Sequence, residues 1–198
     1  MKLFYSHASP YARCCRVLRL EKQLATQVEE VLVDPLQNPA ELIVSNPLGK
    51  IPCLLLDDGD TLYDSTVIND YFNSLGQGPD LLAAHKTSWQ VRKWQALSQG
   101  MLDVAVALRI EKTKPEPQQS GFWMERQRAA LKRGLATLQA DRALMPAEPG
   151  LLDLHMACML AYLAFRHEDL NWQQDYDRLA DWYRDISQRP SLVATEPK

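Results

Sequence analysis

Asn46-Pro47-Leu48-Gly49-Lys50-Ile51-Pro52 runs directly into a short apolar segment, Cys53-Leu54-Leu55-Leu56. A proline at the mouth of a strand has no amide to donate, so it belongs in a turn or at a sheet edge. Ile51, just before it, then keeps its own N–H and C=O free to pair with an extended peptide. Further on, Asp64 and Ser65 precede Val67, Ile68, Tyr71, Phe72 and Leu75, a stripe with helical period. The N-terminus of that helix would attract a carboxylate. A strand edge beside a helix N-terminus describes a site for a small charged peptide.

Working outward, residues 2–6 read as a strand that ends in Ser6-His7-Ala8-Ser9-Pro10. Pro10 suits the first helical position, where its missing N–H costs nothing. Tyr11, Cys14, Cys15 and Leu18 then form one buried face of a helix reaching about Leu24, with Arg13, Arg16 and Arg19 expected on a solvated face. Residues 28–33 read as a second strand, 40–45 as a short helix, and 51–57 with 61–63 as a hairpin around Asp58-Gly59. A helix over 65–75 completes a βαβ-ββα order, an α/β unit over residues 1–76.

Gly76-Gln77-Gly78-Pro79 breaks the pattern and opens a linker set at 77–84. Residues 85–198 then read as an all-helical bundle domain. Trp89, Trp94, Leu97, Met101, Val104, Ala105 and Leu108 mark a long helix that Pro115 and Pro117 stop. Trp123, Ala130, Leu131, Leu135 and Leu138 mark a second, Leu152 to Leu163 a third, and Tyr176 to Ile186 a fourth. The tail after Pro190 carries no pattern.

Composition narrows the function. A net charge of −3 gives no basic excess for nucleic acid and no polybasic arm for an anionic membrane. No window approaches the apolar length of a membrane span, and the N-terminus lacks a signal-peptide core. Cysteines 14, 15, 53 and 158 form no C-x-x-C pair and no metal-ligand spacing, so reduced thiols, no metal and a cytoplasmic location are expected.

Ser9 admits two readings. It is a good N-cap residue, and its hydroxyl also sits where amides and the helix dipole favour negative charge. A donor there, aimed at a bound thiol, favours the reactive thiolate. Ser6 is a rival hydroxyl at the same strand end.

Ser9-Pro10-Tyr11, the segment over 46–52 and the Asp64-Ser65 pair, in that order, resemble the glutathione S-transferase superfamily and its serine-type bacterial, cytosolic members. The family's N-terminal domain carries a Ser, Cys or Tyr near the first turn, an N-P-x-G-[KR]-[VI]-P segment and an [ED]-S pair. The resemblance implies a thioredoxin-like first domain and a helical second one. It implies that Ser9 activates the thiolate of glutathione, the co-substrate, and that Pro52 is cis. Lys50 would meet the glycine carboxylate, Ile51 the cysteinyl backbone, Asp64 the ammonium and Ser65 the γ-glutamyl carboxylate.

It also implies a small hydrophobic electrophile as second substrate, with Met101, Val104 and Leu108 on a pocket wall between the halves. A homodimer is expected, with Trp94 and nearby residues candidates for dimer or interdomain packing. Alternatives on the same fold are a non-catalytic scaffold and a glutathione-dependent peroxidase or isomerase. Asp153 matches the acid of the family's second-domain capping box, although Gly150 lacks the partner side chain.

Overall fold

The computed structural model describes residues 1–141 and 148–198. The chain divides into two compact units, one formed by Met1–Ala83 with Arg189–Lys198 and the other by Ala84–Gln188. The first unit contains β1 (Lys2–Tyr5), α1 (Pro10–Glu21), β2 (Glu29–Leu32), α2 (Ala40–Ser45), β3 (Cys53–Leu55), β4 (Thr61–Tyr63) and α3 (Ser65–Leu75). The sheet order is β2-β1-β3-β4, with β1 parallel to β2 and the other pairs antiparallel. This is the βαβ-ββα arrangement that the residue patterns predict. β3 is an interior strand, bonded on both sides, and of the two places expected for Pro52 it takes the turn ahead of the ladder.

Alternation along the strands sorts the core into two layers. Phe4 and Cys53 pack with Leu42 of α2, joined by Val31, Val33, Ile51 and Leu55. Leu3 and Leu54 point the other way and are fully buried, as are Val17 of α1 and Ile68 and Phe72 of α3. Helices α1 and α3 pack against each other.

The arginines of α1 overturn the expected solvated face. Arg13 and Arg16 are buried. Arg16 Nε donates to Glu30 at 2.9 Å, and its guanidinium lies 4.3 Å from the centre of the Tyr5 ring. Arg19 donates to the Val28 and Ala25 carbonyls and to Glu30. Glu30 is shared between Arg16 and Arg19, and its single charge offsets part of theirs. Arg13 reaches the Leu192 carbonyl at 3.0 Å.

That bond belongs to a second correction. The tail forms α10 (Pro190–Ala194), and residues 189–198 group with the first unit instead of the helical domain. Glu21 accepts from Arg189 through both carboxylate oxygens, at 3.1 and 2.7 Å, and also from the Ser191 hydroxyl. Burial disfavours the Glu21 carboxylate, but the Arg189 and Ser191 bonds and the Arg189 charge outweigh it and hold its pKa below the ordinary value. The expected linker is likewise tied down. Gln77 N–H donates to Lys22 O, Lys22 Nζ donates to Pro79 O, and a Cβ on Gly76 would meet Lys22 O at 2.5 Å.

In the second unit, α4 (Ala83–Thr87) leads to α5 (Trp89–Thr113), α6 (Gly121–Asp141), α7 (Leu151–Arg166), α8 (Trp172–Asp175) and α9 (Asp177–Ile186). Every residue of α7 from 151 to 163 is buried, which makes it the central helix. Gly150 N–H donates to Asp153 at 3.0 Å, the half of the capping box that needs no side chain at 150. Among the described residues no helix is long and apolar enough to cross a membrane. Trp94 is buried within this unit and donates to Asp141 at 3.1 Å. Met101 and Leu108 are also core residues, and Gly134 of α6 leaves room for the Met101 sulfur, which a Cβ there would meet at 2.5 Å. A stripe at helical period names a buried face without naming what it faces. Here it packs on α6 and α7.

His155 sits in this core between Ser98 and Gln99. Gln99 Oε1 can only accept, so Nε2 carries the ring proton at 2.8 Å and Nδ1 takes the Ser98 hydroxyl at 2.9 Å. Burial, with a smaller push from His85, lowers its pKa to about 4. Its folded pKa is below that of the unfolded chain, so the unfolded state gains the proton first and stability falls as pH drops from about 6.5 towards 4. Urea unfolding at pH 7 and about pH 4.5 should show a loss larger by roughly 2 kcal/mol in the wild type than in His155→Gln. Equal losses would mean that the folded protein protonates His155 freely.

Candidate active site

Three segments leave the sheet at one end because of strand register. Phe4 pairs with Cys53, and Cys53 with Tyr63. The turn over 6–9 follows β1, residues 50–52 precede β3, and Asp64 and Ser65 follow β4. Antiparallel pairing therefore gathers at one rim every residue predicted for the glutathione site: Ser9, Lys50, Ile51, Pro52, Asp64 and Ser65.

Ser9 is the N-cap of α1, with Pro10 in the first turn, and its Oγ accepts from the Ala12 amide at 3.2 Å. Accepting uses a lone pair and leaves the hydroxyl proton to donate. Ser9 N–H is held by Ser6 O at 3.2 Å, which closes the turn. Tyr5, the last residue of β1, is packed edge-on by the half-buried His7 ring at 5.4 Å. The capping and donor readings of Ser9 are compatible, since different parts of one hydroxyl serve them.

The Ile51–Pro52 peptide is cis. The Ile51 side chain is anchored in the α2-side cluster, while its backbone lies upstream of the paired strand residues. Lys50 is exposed. Cys53, immediately inside, is no competing nucleophile: burial pushes its thiol up to about 11, so it stays protonated at neutral pH. Asn46 organises this turn, a role the sequence reading missed. It is buried, takes the Leu48 amide on Oδ1 at 3.0 Å and donates from Nδ2 to Lys50 O at 2.8 Å. Its backbone carbonyl accepts from Gly49, whose φ of 61° suits glycine. Motif spacing marked Asn46, but a bond to a backbone carbonyl four residues on leaves no signature in side-chain types.

Asp64 caps α3 by accepting from Thr66 N at 2.8 Å, and does so at φ 72° and ψ 130°. A non-glycine residue there carries strain of order 1–3 kcal/mol, a cost typical of ligand clamps. Ser65 is buried as the first residue of α3, so its amide stands outside the intrahelical ladder. Its carbonyl accepts the Cys15 thiol at 3.7 Å, which fastens the start of α3 to α1. The N-terminus of α1, with no acid at its cap or in its first turn, and Lys50 favour an anionic ligand, while the α3 N-terminus already carries the Asp64 carboxylate. The exposed Asp64 carboxylate suits an ammonium.

A thioredoxin-like unit with this rim, followed by a helical unit, is the architecture of a glutathione transferase, and the chain belongs to the glutathione S-transferase superfamily. Residues 8–75 match the family's N-terminal domain and residues 121–185 its C-terminal domain. The chain is 31% identical to the Escherichia coli (strain K12) GST-like protein YibF, covering 100% of this chain and 98% of YibF. It is 38% identical to a glutathione S-transferase of Methylobacillus flagellatus KT, solved with glutathione bound, at a TM-score of 0.92 over 100% of this chain and 99% of that one. A glutathione transferase family member from Pseudomonas fluorescens Pf-5, solved with S-(propanoic acid)-glutathione, is also 38% identical, at a TM-score of 0.88 and 100% coverage of both.

Proposed function

We propose that this protein is a glutathione-dependent transferase that forms the thiolate of glutathione at Ser9 and directs it at a small apolar electrophile. The observation that carries this reading is the common rim, where Ser9, Ile51 and Ser65 meet because Phe4, Cys53 and Tyr63 stand in register. The γ-glutamyl carboxylate binds the Ser65 amide and hydroxyl at the start of α3, with the ammonium beside Asp64. The cysteinyl backbone pairs with Ile51 as a one-residue strand addition. The glycine carboxylate meets Lys50.

This leaves the sulfur at the N-terminus of α1. The thiol proton passes to solvent, and the Ser9 hydroxyl donates to the thiolate. The sulfur lone pair forms the S–C bond while the electrophile's leaving group departs with its electron pair, or while an activated double bond takes up a proton. The Pseudomonas fluorescens relative binds a glutathione substituted at sulfur, which supports a transferase over a scaffold. Retention of the clamp residues Lys50, Asp64 and Ser65 supports the same choice.

Within this reading the protein works in the cytoplasm as a homodimer. The exposed neighbouring side chains of Phe122 and Trp123, packed edge to face at 5.3 Å, support a partner surface. Retention on immobilised glutathione, followed by turnover of a panel of electrophiles and peroxides, tests the function. Failure to bind glutathione rejects it, and turnover of peroxides alone turns it into a peroxidase. Sedimentation at micromolar concentration should give a dimer; a monomer removes the partner surface.

A further inference from the structure

The peptide unit between Lys50 and Ile51 is pinned from one side only. Asn46 Nδ2 donates to Lys50 O at 2.8 Å, while Asn46 Oδ1 is occupied by the Leu48 amide at 3.0 Å. The asparagine is itself immobile. It is 2% exposed, its N–H donates to Leu42 O at 2.7 Å at the end of α2, and its C=O accepts from Gly49 N at 2.8 Å. In a trans peptide the C=O and the next N–H point to opposite sides. Holding the Lys50 carbonyl inward therefore turns the Ile51 N–H away from Asn46. The Ile51 side chain is anchored in the core cluster and adds a second point of fixation.

We infer that Asn46 is the positioning residue that aims the Ile51 N–H at an extended peptide ligand, and that the affinity for glutathione depends on this aim. The inference rests on the proposed pairing of Ile51 with glutathione. Asn46 touches no ligand in this scheme. It acts by removing the freedom of one peptide plane, so that binding does not have to order it.

Asn46→Asp is nearly isosteric. It keeps the acceptor for Leu48 and replaces the donor to Lys50 O with an acceptor. Glutathione Kd should rise about ten-fold, the usual scale for losing one aligned hydrogen bond. The maximal rate at saturating glutathione should change by less than about two-fold, because Ser9 is untouched. Hydrogen exchange supplies the readout that a general loss of structure would not reproduce. Adding glutathione should protect residues 47–56 and 64–68 in the wild type, but only 64–68 in the variant. Asn46→Ala, measured alongside, covers the case in which a buried carboxylate prevents folding.

Unchanged affinity in a folded variant overturns the inference. So does a joint loss of melting temperature, maximal rate and protection across the whole first unit, which would make Asn46 a plain structural residue. A wild type that binds no glutathione rejects the proposed function itself and is recognisable as that separate failure.

Discussion

Replacing Ser9 by alanine should lower turnover near pH 7 by about ten-fold or more, with the deficit shrinking as pH rises. A free cysteinyl thiol has a pKa near 8.5, so only a few per cent is ionised at neutral pH. In the proposed site, one hydrogen bond to the charged sulfur, added to the field of the α1 N-terminus, should raise the ionised fraction by about ten-fold or more. Alanine removes the hydroxyl and leaves the helix. Above the free-thiol pKa the sulfur ionises unaided and the two proteins converge. Glutathione affinity should change far less than turnover, because in the proposed site the hydroxyl meets the sulfur and neither carboxylate. Loss of the N-cap bond to Ala12 costs about 1 kcal/mol of stability, so the variant remains foldable. Titration of thiolate absorbance in both glutathione complexes is decisive. Equal apparent pKa values would pass the role to Ser6 or a backbone amide, and an unshifted wild type would favour a binding protein without turnover.

Ser65→Ala should act on the other term, affinity. A hydrogen bond to a charged group contributes roughly 1.5–3 kcal/mol, so glutathione binding should weaken roughly ten- to one-hundred-fold. The amide at the same position remains and sets the residual affinity. Alanine fits the buried site, and Asp64 still caps α3 through Thr66, so the melting temperature should hold. Calorimetry that finds unchanged affinity would remove the γ-glutamyl carboxylate from the α3 N-terminus. Together the two variants separate chemistry from binding.

Much of the first unit can be read from residue types because its signals are local. Pro10, the run over 46–52 and the stripe from Val67 to Leu75 each carry their own punctuation, and α2 and α3 fall where those signals predict. The burial of Arg13 and Arg16 and the pairing of Arg19 were not legible. Their partners are Glu30 and the carbonyls of Val28, Ala25 and Leu192, and pairing with remote backbone leaves no periodic trace. Helix α10 escaped notice because five residues are too few to show a period. In the second unit the stripes located helices correctly, whereas the roles that the resemblance suggested for Trp94, Met101 and Leu108 give way to core packing, since amphipathicity does not say which neighbour covers a face. The candidate site is the converse case. Its side chains were legible one by one, whereas their meeting at one rim depends on strand register, which only pairing reveals.

The return of α10 to the first unit also constrains how the chain is made. A ribosome adds roughly 5–20 residues per second, so α10 is made roughly 5–22 s after the last residue of the N-terminal segment. Until then the Arg13 guanidinium lacks the Leu192 carbonyl, and Glu21 carries its charge without Arg189. The half that holds the candidate site is begun first and completed last, with the helical unit synthesised in between.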